Sequence, residues 1–95
     1  MPASVKVGPH VYRITRKPHK HNGECDFDGI SINVKPRLRL QKSREILVHE
    51  LLHACTHPSL NGDDRHTDEE FVTGVTPVLL QVLQDNPDLL EYLTK

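Results

Sequence analysis

The chain is poor in aromatic residues, with two Tyr, two Phe and no Trp among 95 residues, so an interior built from it is aliphatic. It is poor in cysteine as well. Cys25 and Cys55 exclude a disulfide framework and suit the reduced thiols of a cytoplasmic protein. No apolar run approaches the roughly 20 residues of a membrane-spanning helix, and Met1 to Arg16 lacks the apolar centre of a secretory leader. A cytoplasmic protein with no membrane association is therefore expected. Net charge is nearly absent, −1 in formal count, and gives no reason to expect nucleic acid as the main partner. The one basic run, Lys35 to Arg44, has no aromatic stacking residue nearby and reads as a solvated edge. With 36% apolar and 26% charged residues, the chain fits a single domain over 1–95. A metal that cross-links two helices would stabilise so thin a core.

The first third reads as strands. Val5, Val7, Val11 and Ile14 flank Gly8-Pro9, as in a short strand pair, and a polar loop follows from Lys17 to Glu24. After the turn signal Asp28-Gly29, the segment Ile30, Ser31, Ile32, Asn33, Val34 alternates as a half-buried strand does. Pro36 ends it, which points to a sheet edge with backbone groups free to pair with an extended ligand. The rest reads as helices. One starts near Lys42 or Ser43, with Ser43 as its cap, and ends at His57 before Pro58. A polar loop runs from Leu60 to His66. A second helix opens on Thr67-Asp68-Glu69-Glu70, which has the form of a capping box, and Gly74 and Pro77 predict a kink or split near Thr76. Asn86-Pro87 opens a short third helix. The fold class is α+β: a small antiparallel or mixed sheet packed on the first helix, with the kinked second helix and short third helix after it.

That first helix carries His49-Glu50-Leu51-Leu52-His53. Two imidazoles four residues apart lie one above the other on a helix and can reach a single metal ion, while Glu50 stands about 100° round, beside it. There a carboxylate can accept the proton of a metal-activated water. In a chain with seven His among 95 residues a chance match has a probability of roughly 3 in 100, so the surroundings must carry the reading. They are apolar. Leu47, Val48, Leu51, Leu52, Ala54 and Cys55 surround the wedge, and two His and a Glu buried there are costly unless a metal partners them.

Catalytic zinc takes three protein ligands and leaves a position for water, so a third ligand is required. His57 lies about 12 Å beyond His49 along the axis, too far for bonds near 2 Å. A helical hairpin returns the acidic start of the second helix to the histidines, and because capping claims Glu70, Glu69 is favoured, with Glu70, Asp68 and His66 as alternatives.

The strand Ile30–Val34, the His49–His53 motif and Glu69-Glu70-Phe71-Val72 together resemble the minimal zincin metallopeptidases of gluzincin type, near the ImmA/IrrE and SprT-like groups and small phage-encoded relatives. The resemblance covers roughly residues 28 to 83. It implies Zn2+ as cofactor, Glu69 as third ligand with Val72 three residues on, Glu50 as catalytic base, and a peptide or protein substrate lying antiparallel to Ile30–Val34. The chain departs from metzincins, since Ala54-Cys55-Thr56-His57-Pro58 replaces their third histidine and no Met-turn follows. It also lacks the second lobe of longer secreted proteases.

The competing reading is a metal-stabilised, low-turnover binding or regulatory protein that keeps a protease-like site. Glu50 opposes it, because a structural zinc site has no use for a carboxylate beside the ion and closes its fourth position. His66, Tyr92 and Tyr12 are the candidate oxyanion donors. His10, His19 and His21 read as solvated surface, and Cys55 as a small core residue.

Overall fold

A computed structural model describes the backbone of residues 1–56 and 65–95, and the side chains of 1–56 and 69–95. Four strands, β1 (Ser4–Val7), β2 (His10–Thr15), β3 (Gly23–Asp26) and β4 (Ser31–Val34), precede three helices, α1 (Leu40–Thr56), α2 (Arg65–Asp85) and α3 (Pro87–Thr94). The expected end of the first helix at His57 and the Asn61-Gly62 loop lie outside the described residues. The fold is a small α+β unit with a mixed sheet.

The valines around Gly8-Pro9 do form a hairpin. Gly8 takes a φ of +57°, which glycine adopts freely, and β1 pairs antiparallel with β2 from Val7↔His10 to Ser4↔Arg13. The sheet order is β1-β2-β4-β3, with β2 and β4 parallel and β3 antiparallel to β4. This corrects two expectations. The strand expected at an edge, β4, is interior, hydrogen-bonded on both sides, and its backbone is spent within the sheet. It also starts one residue late, since Ile30 has a φ of +52° and belongs to the preceding turn. The edges are β1 and β3, and β3 takes its first two residues, Gly23 and Glu24, from what reads as polar loop.

The reason is tertiary. Gly23-Glu24-Cys25-Asp26 has no β-branched residue, yet Cys25 opposite Ile32 turns into the interior, and Asp26 Oδ1 accepts from the Asp28 and Gly29 amides to close the turn into β4. One sheet face carries Tyr12, Ile32 and Val34, and α1 lays Ala54, Ile46, Leu47 and Leu51 against it. It packs on β3 and β4. Cys55, expected in the core, is exposed.

Ser43 is not a cap. The helix begins at Leu40, the Ser43 amide already donates to the Arg39 carbonyl at 2.8 Å, and the hydroxyl is buried at 3% exposure. Arg16 occupies it: its guanidinium donates to the carbonyls of Val34 (2.8 Å) and Lys35 (3.2 Å) and to Ser43 Oγ (3.3 Å), joining the ends of β2 and β4 to α1. α2 starts at Arg65, two residues before the expected cap Thr67, and it is not split at Pro77. Thr76, buried beside that proline, donates from Oγ1 to the Val72 carbonyl at 2.6 Å, while Pro77 itself faces solvent. α1 and α2 form an antiparallel hairpin, pinned at one end by reciprocal amide bonds of 2.9 and 3.0 Å between Gln41 and Gln84.

Candidate metal centre

At the other end of that hairpin, Glu69 meets the two histidines of the α1 motif. His53 Nε2 lies 2.9 Å from Glu69 Oε2, His49 Nε2 lies 3.3 Å from Oε1, and the two Nε2 atoms are 3.2 Å apart. The rings meet edge to face with centroids 4.9 Å apart. Three donors this close together are what a metal ion needs. Bonds of about 2.0–2.1 Å at tetrahedral angles set neighbouring donor atoms about 3.3 Å apart, so the present spacing fits an ion of zinc's size. His49, His53 and Glu69 are thus a group that could hold a metal ion, with the two His partly buried and Glu69 exposed.

The electrostatics suit that use. Burial lowers the pKa of His49, partly opposed by the nearby Glu69 carboxylate, so its ring favours the neutral form that can ligate. Glu69 also accepts from Thr73 Oγ1 at 3.2 Å, one turn on, which restrains the carboxylate. Glu70 is exposed on the same helix, and the side chains of Asp68 and His66 lie outside the described residues.

Glu50 is the unusual group. Only 6% of it is exposed, and burial pushes its pKa from 4.5 to about 7, with Glu69 and Glu24 adding to the rise and His53 opposing it. It stands outside the three-donor group. Gly23 lies against it: a Cβ there would sit 2.9 Å from Glu50 Oε2 and 2.5 Å from Ile46 Cγ2. The first residue of the edge strand therefore abuts the carboxylate by having no side chain. Asn22-Gly23 carries the signal of a loop, and only the pairing of Gly23 with Val34 reveals a close approach.

The remaining candidates are placed less suggestively. Tyr12 is buried in the core cluster, and Tyr92 is 80% exposed on α3. His66 as oxyanion donor lies outside the described side chains. His19 pairs with Glu24 at 2.6 Å and accepts from the His21 amide at 3.0 Å; His10 is exposed. No helix of the described residues is long and apolar enough to cross a membrane. No family model, curated protein or solved structure matches the chain, so the centre is read from its own geometry.

Proposed function

We propose that the chain is a zinc-dependent metallopeptidase in which His49, His53 and Glu69 hold the ion and Glu50 serves as general base. The observation that carries this is a buried carboxylate beside three converging donors and not among them. Zinc bound there would supply Lewis acidity toward a water and a substrate carbonyl. Glu50 takes a proton from the water on a carboxylate oxygen and returns it to the leaving amine. Glu69 balances charge as well as ligating. The edge strand β3, beside α1, replaces β4 as the segment with a free backbone edge for an extended peptide.

A purely structural metal site gives no account of Glu50. The test is Glu50→Gln: zinc content measured by mass spectrometry should be unchanged while cleavage of a peptide library is abolished. Equal cleavage by both proteins, or wild type that takes up no stoichiometric zinc on reconstitution, would sink the reading.

A further inference from the structure

Charge is strongly divided along this nearly neutral chain. Ten of the twelve Lys and Arg but three of the thirteen Asp and Glu lie in residues 1–44, a formal +7 against −8 for residues 45–95. The fold gathers much of the positive half in one place. Because β2 and β4 are parallel, the segments that leave them start at the same end of the sheet. Arg16 bonds the Lys35 carbonyl, Lys17 exchanges bonds of 2.7 and 3.0 Å with the Asn33 side chain, and the Lys35 amide bonds Asn22. Arg39 then bonds through its carbonyl to Ser43, between Lys42 and Arg44. Among the described residues none of these cations forms an ion pair.

Their placement also works against the fold. The first turn of α1 holds no acid and carries Lys42, with Arg39 just before it, whereas the positive end of a helix favours anions. A run read alone as a solvated edge is thus joined by Arg16 and Lys17, in an arrangement maintained at some cost in stability.

We propose that this cationic end of the sheet docks on the phosphate backbone of duplex nucleic acid. Lys35, Arg37 and Arg39 alternate along the turn into α1, and a duplex presents a charge about every 1.7 Å for such a cluster to meet. Single strands are a poorer match, because the surface has no exposed Phe, Tyr or Trp on which bases stack, and the rings of His19 and His21 are tilted against each other; Tyr12 is buried. A bilayer is poorer still, since Leu40 is the one exposed large apolar side chain in the run, too little for interfacial insertion. The contact is to phosphates and is independent of base sequence. It does not rest on the metal reading.

The test is fluorescence anisotropy of a labelled 25-base-pair duplex with the zinc-reconstituted protein. Four phosphate contacts would lower affinity roughly 150-fold between 50 and 200 mM NaCl. Arg37→Glu, Arg39→Glu and Lys42→Glu combined should cost at least about tenfold at 50 mM and flatten the salt slope. These side chains are exposed, and acids suit the start of a helix, so circular dichroism and zinc content should be retained. No binding at 50 mM NaCl overturns the proposal. So does tighter binding to vesicles rich in phosphatidylserine, to poly-glutamate or to a single strand, or sedimentation showing head-to-tail association with the chain's own acidic half.

Discussion

Gly23 abuts Glu50 across the boundary between the edge strand β3 and α1, and the close approach exists because Gly23 has no Cβ. A methyl group there would approach Glu50 Oε2 to 2.9 Å and Ile46 Cγ2 to 2.5 Å. Gly23→Ala is therefore expected to destabilise the protein by about 1–3 kcal/mol, the usual range for overpacking, read as a shift in urea midpoint. Adding Ile46→Ala removes the closer clash and leaves the one with Glu50. Because Ile46 itself packs on the core, the double variant should be about as stable as Ile46→Ala alone while peptide hydrolysis stays impaired; hydrolysis equal to that of Ile46→Ala would assign Gly23 to packing alone.

The third ligand is separable from its neighbour. Glu69 faces both histidines, whereas Glu70 is exposed on α2. Glu69→Ala should weaken zinc binding by about 100-fold or more in a competition titration, and Glu70→Ala by less than about threefold. A larger loss from Glu70→Ala would reassign the site.

Burial of Glu50 has a consequence for stability that can be signed. Its folded pKa is about 7 against an ordinary 4.5, so the folded, metal-free state holds this proton more tightly than the unfolded chain. Near pH 4 both states are protonated and the group is neutral to stability. As pH rises from 4.5 through 7 the unfolded chain gains by ionising freely, and the fold loses about 1–3 kcal/mol that it does not regain above that window. Glu50→Gln should thus raise the Tm of the metal-free protein at pH 8 and leave it nearly unchanged at pH 4. An equal effect at both values would show that the carboxyl is solvated.

Arg16 offers a check on the frame that carries the site. Its guanidinium serves two carbonyls and the buried Ser43 hydroxyl together, a fork that a lysine cannot reproduce. Arg16→Lys should cost about 1–2 kcal/mol in urea unfolding. Ser43→Ala, which removes the orphaned hydroxyl, should make the Arg16→Lys change less costly in a double-mutant cycle. Strict additivity would mean that the hydroxyl bond contributes nothing.

What the sequence makes legible here is local periodicity and spacing. His49 and His53 share a helix face by arithmetic, Asn86-Pro87 opens α3 at the expected place, and Glu69 is reachable once two helices are joined by a short connection. Sheet order is a different matter. β3 carries no pattern stronger than its neighbours' need for a partner, so Gly23 and Glu24 read as the end of a loop and β4 reads as an edge. Boundaries fail for a related reason: Ser43 has the chemistry of a cap, but Arg16, 27 positions earlier, makes it a buried acceptor. The charge surface is hidden by the same distance. Arg16 and Lys35 are 19 positions apart and become neighbours only when β2 and β4 align in parallel.

The reciprocal amide pair between Gln41 and Gln84 fixes the helical hairpin at the end far from Glu69. A hairpin closed there behaves as tongs with a riveted heel. That closure sets the register in which His49 and His53 on one arm face Glu69 on the other.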